Sequence, residues 1–581
     1  MKTNRRDFLK AGMSTSGGLV ISLVTPACKT IDPTVIPSVK NPGVFQTIYL
    51  EVTTDNLFYL TFDRSEMGQG IITGQATIFG EEADINPSRF IMRPADADTR
   101  FGVQITGGSN STKKGWPVWR KAAATYRHAL IRLAAKTWEV PVSEITTLDG
   151  VLYHHKTNQK MPYSKLNQLV AGSTLVQEPK FKKPVEYRYI GKFDQSVDAR
   201  DKATGSTDFG IDLELPEMRT AVVIRPAVFG AKLRSADLLA IKALPDVEEA
   251  FVIDSGVAII CRKYWQCLAV RPKLTDQMIK WEEQELKISS QDLYSDYKDE
   301  LDQNPPSVRS GQKIVSAEYV LPYLAHAPLE PQNCTAWFKS SDCLEIWAPT
   351  QAPTFVRRYA AAVSGLDRSQ IIVHVSKYLG GGFGRRGSLD FTAEAIQIAL
   401  KVRYPVKVLW SREDDMQHSP LRPMSVHRFD AVVDGKIVSW RHQIVGQSIV
   451  QELITEYAGF IGPAWLPSWM GRFLGRGATN LMEWLNFAPL LKEGGVQAYD
   501  IDVDFKVIDK KLPIPVSFWR SVGNSHNGFT VEGFLDEICH ALHRDPVDFR
   551  IELLSKNKRA QNVVKAVAKA SSWQETKPAK N

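Results

Sequence analysis

Cysteine is scarce in this chain: six residues in 581, at Cys28, Cys261, Cys267, Cys334, Cys343 and Cys539. Their spacings match neither a C-x-x-C zinc pair nor the C-x4-C-x2-C run that holds a plant-type 2Fe–2S cluster, so no iron–sulfur cluster is expected in this chain. A Cys334–Cys343 disulfide is open to a protein in an oxidising compartment, but buried free thiols are the expected state. No permanent membrane span is expected near the N-terminus. The stretch from Ala11 to Val24 is interrupted by Gly12, Gly17 and Gly18, well short of the ~20 apolar residues a span requires. Positive charge is modest. Of the formal +8, Lys2, Arg5, Arg6 and Lys10 less Asp7 supply three units, leaving +5 on the rest. That is too little and too dispersed for nucleic acid, and no basic repeat with interleaved aromatics occurs. Finally, there is no G-x-S-x-G elbow. The serine, acids and histidine of Ser411 to His418 are therefore read as a solvated turn or domain contact, not as a hydrolase triad.

What is present describes a globular protein of several domains. Hydrophobic residues make up 43% and charged residues 23%, and a chain of this length exceeds what one core supports. The N-terminus, Asn4-Arg5-Arg6-Asp7-Phe8-Leu9-Lys10, has the pattern of a twin-arginine signal, with a small-residue site at Thr25-Pro26-Ala27. It implies export of an already folded protein to the periplasm or the periplasmic side of the membrane. Residues 1–27 form this leader, with lipidation of Cys28 a minor reading, and 28–43 a linker. A first unit spans 44–190, opening on the strand-like run Phe45 to Val52, with a helix over Trp116 to Ala135 and a polar connection from Tyr153 to Pro184. A β-rich second unit spans 191–290, with a helix-like stretch from Ser235 to Leu244. A charged linker occupies 291–312. The third unit, 313–581, alternates strands at Leu344 to Trp347, Ile371 to Val375 and Val406 to Trp410 with helices at Phe355 to Ser364 and Leu389 to Leu400, a mixed α/β (α+β) pattern. Its segment Trp465 to Phe487 is rich in aromatics, read as a packed loop region or as a pocket or partner-facing surface.

The most informative segment follows the third unit's Ile371 to Val375 run. Tyr378-Leu379-Gly380-Gly381-Gly382-Phe383-Gly384-Arg385-Arg386 lets main-chain N–H groups approach an anion, with a helix N-terminus and two arginines to neutralise charge. Gly382, Gly384 and Gly387 satisfy the literal G-x-G-x-x-G spacing of a nicotinamide site. No acidic ribose partner follows at a strand end, so that reading ranks last.

Together with Trp347-Ala348-Pro349-Thr350-Gln351, Phe518-Trp519-Arg520-Ser521-Val522-Gly523 and Glu66-Met67-Gly68-Gln69-Gly70, the glycine loop resembles the molybdopterin-binding subunit of the xanthine dehydrogenase and aldehyde oxidase family, in its isoquinoline 1-oxidoreductase β-subunit form. The 191–290 unit is similar to that family's α/β hammerhead domain, carrying Lys202-Ala203-Thr204-Gly205 and Phe209-Gly210-Ile211-Asp212. The resemblance implies a molybdenum hydroxylase large subunit binding molybdopterin cytosine dinucleotide, with the metal held by the cofactor and not by protein side chains. Gln351 would donate to the apical oxo ligand. Gly381, Gly382, Phe383, Gly384, Arg385 and Arg520 would line the other side, and Gly68, Gln69 and Gly70 with Gly108, Ser109, Asn110 and Ser111 would meet pterin edges and phosphate oxygens. Glu330, in Ala327-Pro328-Leu329-Glu330-Pro331, is the remaining carboxylate near the predicted pocket, with a structural or substrate-facing part.

Two departures from the family pattern matter. The family's G-x-G-E motif, whose glutamate is the catalytic base, is absent from these 581 residues. Gly387 also stands where xanthine-oxidising relatives place a substrate-orienting glutamate, which argues against purines. The implied function is oxidation of an N-heteroaromatic or an aldehyde with water as oxygen source, electrons passing through a separate 2Fe–2S subunit to a cytochrome-type acceptor. The alternative is a truncated, non-catalytic cofactor-binding or scaffold subunit. On either reading the chain by itself is expected to hydroxylate little or nothing until the missing segment is supplied.

Overall fold

The computed structural model describes residues 45–171, 178–282, 288–461, 489–495 and 499–573, with Met470, Phe473 and Gly477. The twin-arginine signal, Cys28, and Trp465, Trp469, Trp484 and Phe487 lie outside the described residues. Among the described residues no helix is long and apolar enough to cross a membrane.

The first unit is a four-stranded sheet, β1 (Phe45–Gln46), β2 (Leu50–Val52), β3 (Phe58–Phe62) and β4 (Phe90–Pro94), in that order. The expected single strand from Phe45 to Val52 is a hairpin. Thr47 Oγ1 accepts the N–H groups of Tyr49 and Leu50 at 3.2 and 2.9 Å, and that local alternative to the ladder turns the chain. Helices Ile71–Ala83 and Ser111–Trp138 pack on this sheet, the second running further in both directions than its apolar periodicity. The first part of the expected polar connection after Tyr153 is regular structure instead: β5 (Ile145–Leu148), β6 (Val151–His154) and β7 (Gln159–Pro162) form a meander that leads to Tyr163, fully buried.

In the second unit, β8 (Arg219–Ile224), β10 (Glu249–Ile253) and β11 (Gly256–Cys261) are antiparallel neighbours, while β9 (Leu233–Ala236) pairs with β12 (Ile279–Trp281). The helix expected from Ser235 begins only at Leu238, because Asp237 caps it by accepting Ala240 N–H at 3.0 Å while Ser235 and Ala236 are held in the β9 pairing. The expected linker also contains a helix, Ser290–Asp299, started by a Ser289–Asp292 capping box and burying Leu293 and Tyr297.

The third unit contributes β13 (Lys313–Leu321), β14 (Asn333–Ser340), β15 (Cys343–Ala348), β16 (Ile371–Val375), β17 (Val406–Leu409), β18 (Ser425–Val433), β19 (Ile437–Gly446) and β20 (Val503–Asp509). A seven-stranded sheet runs β10-β11-β8-β17-β14-β15-β16, so the second and third units share it through the parallel β8–β17 pair. Helices Pro353–Ser364 and Asp390–Ala399 cover it with Phe355, Val356, Phe391 and Ile396. A second sheet, β13-β18-β19-β20, is covered by helix Asn524–Ala541 through Val531, Phe534, Leu535 and Ile538 against Phe429 and Trp440. The Ser411 to His418 stretch is a capped helix making a domain contact: Asp414 pairs with Arg271 of the second unit. The five described cysteines are free, four of them buried and Cys343 half-buried.

Candidate functional site

β15 and β16 are parallel neighbours, so the segments leaving their carboxyl ends emerge side by side, the place where open α/β sheets form their ligand crevices. Gln351 follows β15, and the glycine loop follows β16. The two are joined directly. Gln351 N–H donates to Arg386 O at 2.9 Å, and Gly384 N–H donates to Gln351 Oε1 at 3.2 Å.

Glycine is required here for space as much as for conformation. A Cβ on Gly382 would lie 2.4 Å from Met67 Sδ and 2.8 Å from Gln351 Oε1, and one on Gly384, at φ +102°, would lie 2.0 Å from Phe518 O. Three of the four sequence motifs thus close on the fourth, the glycine loop. Phe383 occupies the left-handed region at φ 56°. Among the described residues the N–H groups of Gly382 and Phe383 donate to nothing, which leaves two main-chain donors for a ligand. Gln351 Nε2 donates one hydrogen to Thr106 O at 2.8 Å, while Thr106 N–H donates to Gln351 O at 2.8 Å; the second amide hydrogen is uncommitted.

The Glu66 to Gly70 loop is built by its own acid. Glu66, buried, accepts the N–H groups of Gly68, Gly70 and Ile72 at 2.8, 3.1 and 3.1 Å. Its carboxylate therefore occupies the positive end of helix Ile71–Ala83, where an anion is favoured. Its carbonyl accepts Leu379 N–H at 2.8 Å, tying the loop to the glycine segment. Gly68, Gln69 and Gly70 stand exposed, and the Gln69 amide is tied into its own loop, Oε1 accepting Met67 N–H and Nε2 donating one hydrogen to Ser65 O, both at 2.8 Å. Ser65 N–H in turn donates to Thr106 Oγ1 at 2.8 Å. Beyond Thr106, Gly108 and Ser109 are exposed, Asn110 and Ser111 are half-buried, and Ser111 opens the long helix.

Three charged residues take different parts from those expected. Arg385 does not face the loop. Fully buried, it donates from Nε to Ser419 Oγ and from both Nη atoms to the two oxygens of Asp390 at 2.9 and 2.8 Å. Arg386 is likewise buried, donating to Gly381 O at 2.7 Å and to Glu330 Oε2 at 2.9 Å. Burial lowers its pKa, partly offset by the neighbouring Glu330 carboxylate. The arginines clamp the loop from inside because their guanidinium forks meet internal carboxylates and carbonyls first. Glu330 is saturated too. Oε1 accepts Ile211 N–H and Asn333 Nδ2 at 3.0 and 2.8 Å, and Oε2 accepts Gly380 N–H at 2.8 Å besides Arg386. A carboxylate holding four donors is a structural tie, not a substrate-facing group.

Arg520 is exposed, and among the described residues it forms no ion pair. It stands two residues beyond Phe518, whose carbonyl closes over Gly384. Glu66 and His326 were not legible as site residues, whereas Thr106 opens the cluster read from sequence at Thr106 to Ser111. Glu66 carried a usable signal, an acid just ahead of a helical apolar pattern; His326 carried none.

Residues 4–211 and 304–449 each match a molybdopterin cofactor-binding domain. The chain is 26% identical to the β subunit of isoquinoline 1-oxidoreductase of Brevundimonas diminuta, over 99% of this chain and 78% of that one. It is 26% identical to a nicotinate dehydrogenase chain of Pseudomonas putida, over 96% of this chain but 46% of that relative's length. Against a membrane-bound aldehyde dehydrogenase of Gluconacetobacter polyoxogenes the identity is 24%, over 95% and 72%. Among solved structures, quinoline 2-oxidoreductase from Pseudomonas putida 86 superposes with a TM-score of 0.46 at 15% identity, over 61% of this chain and 48% of that chain.

Proposed function

Since this chain belongs to the molybdopterin-binding subunits of the xanthine dehydrogenase family, we propose that it is the large subunit of an exported molybdenum hydroxylase acting on a small N-heteroaromatic or an aldehyde. The cofactor we assign is molybdopterin in its cytosine dinucleotide form, and the partner a 2Fe–2S subunit that passes electrons to a cytochrome-type acceptor. The names of the three relatives support both substrate classes. Export rests on Arg5-Arg6 with Phe8-Leu9-Lys10.

One observation carries the cofactor reading: Met67, Gln351 and Phe518, from three distant segments, close around a glycine loop whose Gly382 and Phe383 N–H groups are unused among the described residues. When bound, the pterin-held molybdenum supplies the two-electron oxidation that adds water-derived oxygen to carbon. The chain's own residues would hold and orient the group. Gly382 and Phe383 offer main-chain donors and Gln351 its spare amide hydrogen. The exposed Gly68–Gly70 and Gly107–Ser109 backbones offer room for close approach, and Arg520 an exposed cation. Glu330, with its four donors, is not available as a general base, which needs an open lone pair within reach of the proton it takes.

The test is co-expression with the iron–sulfur partner and cytoplasmic maturation factors, followed by elemental and pterin analysis of the purified complex. Molybdenum with a pterin is expected, reduced in Gly382→Ala and Arg520→Ala. A folded, matured complex containing neither would overturn the reading.

A further inference from the structure

The turn Trp519–Val522 is strained in a way its own residues do not explain. Ser521 and Val522 have φ of 75° and 47°, and two successive non-glycine residues in the left-handed region, one of them β-branched, persist only where the surroundings impose them. Within the turn the hydrogen bonds are internal: Val522 N–H to Trp519 O at 2.7 Å and Asn524 N–H to Ser521 O at 2.9 Å. Ser525 N–H also donates to Val522 O at 3.1 Å, and among the described residues Trp519 to Val522 make no hydrogen bond beyond 519–525. Val522 packs against Ile449 and Val450, and the nearest hydrogen bond from a distant segment is three residues before Ser521, where His326 Nε2 lies 2.6 Å from Phe518 O. His326 is buried, and burial pushes its pKa down to about 4 with the Arg385 charge contributing. The imidazole is therefore neutral at ordinary pH, and the short contact to a carbonyl places its one N–H on Nε2. The same Phe518 carbonyl lies against Gly384, whose N–H reaches Gln351.

We propose that His326 is a positioning residue for the cofactor site: its Nε2–H holds the Phe518 carbonyl over Gly384, and so fixes the left-handed turn that presents Arg520 beside the glycine loop. The inference rests on the reading of Gly382–Gly384 as the cofactor cradle for its functional meaning, but the latch itself is a property of the chain alone.

The experiment is hydrogen exchange with peptide-resolved mass spectrometry on the full chain without cofactor at neutral pH, paired with molybdenum and pterin content after maturation. His326→Phe removes the donor and leaves a half-buried carbonyl unpaired. Exchange across 517–524 should rise about tenfold or more, while the central-sheet peptides 333–348 stay within about twofold of wild type. His326→Gln, which keeps an N–H donor of similar reach, should stay close to wild type in both regions. Cofactor content should follow the same order. Unchanged exchange across 517–524 in a folded His326→Phe protein overturns the latch, as does a rise in His326→Gln equal to that in the phenylalanine variant. Should His326→Phe loosen the central sheet as well, His326→Asn, whose amide stops short of Phe518 O, decides by the same criterion: a local rise supports the latch and none overturns it. A latch seen by exchange with no molybdenum in any protein, wild type included, rejects the cofactor reading and leaves the latch standing.

Discussion

At Gly384 a methyl group has nowhere to go. The φ of +102° strains any other residue and the Phe518 carbonyl would sit 2.0 Å from the added carbon, so Gly384→Ala should cost about 1–3 kcal/mol in denaturant unfolding. Gly387, the third glycine of the nominal nicotinamide spacing, has open space and an ordinary φ. Gly387→Ala should stay within about 0.5 kcal/mol. A loss at Gly387 as large as at Gly384 would mean that the whole stretch is a tight cradle. Glu330→Ala tests a different force. Removing one partner of a buried pair leaves the Arg386 charge uncompensated, and about 3–5 kcal/mol of stability should go with it. If Glu330 were instead a solvent-reachable base, the change would be small in stability and large in rate.

Helix ends decide the next scale. The 13-residue helix Ile71–Ala83 has no N-cap side chain at Gly70 and instead receives Glu66 from outside, on three N–H groups. Glu66→Ala should destabilise by about 0.5–2 kcal/mol, the range of a lost cap. It should also speed hydrogen exchange in 66–72 while leaving the meander β5–β7 unaffected. The Phe518 to Val522 turn enters helix Asn524–Ala541 in the same functional neighbourhood, and there the hold comes from His326 across the chain.

At the scale of the whole molecule, the sheet β13-β18-β19-β20 and helix Asn524–Ala541 trap three histidines. His427 Nδ1 lies 3.0 Å from His442 Nε2, and the His526 ring centroid is 5.6 Å from that of His427. Ser425 and Thr530 hydroxyls, the Leu491 carbonyl, the Gly495 backbone and the Phe429 and Phe505 rings surround them, and Arg422 adds a repulsive charge toward His526. Burial lowers all three pKa values, His526 to about 4 and the other two well below their ordinary value. The unfolded chain therefore binds these protons first as pH falls. Stability is fully present above about 6.5 and is lost as pH falls from there toward the folded values, at about 1.4 kcal/mol per unit for each histidine. The denaturant midpoint should drop steeply between pH 6.5 and 4.5, and less steeply in His427→Gln; equal slopes would remove the trio as the cause. Export belongs to this scale as well. Arg5→Lys with Arg6→Lys should leave the protein in the cytoplasm, and periplasmic recovery of that double variant would reject the twin-arginine assignment.

The strands Leu344 to Trp347, Ile371 to Val375 and Val406 to Trp410 and the helices after them were readable because alternation and the 3.6 period are local properties of sequence. So were the spacings of the glycine loop, Gln351 and Arg520, since a loop that must admit main-chain donors and close packing tolerates few residue types. Other features depended on what the fold set beside them. Thr47 turned a strand into a hairpin through its own hydroxyl, and the Ser289–Asp292 box placed a helix where charge suggested a linker. Arg385, Arg386 and Glu330 show the limit best. Sequence supplied two cations and a carboxylate near a predicted anion site, and tertiary structure paired them internally, because a buried charge far from water is stable only against an opposite charge or a full set of donors. The sequence by itself determined which groups the site has to work with; packing decided which of them are left free to touch a ligand.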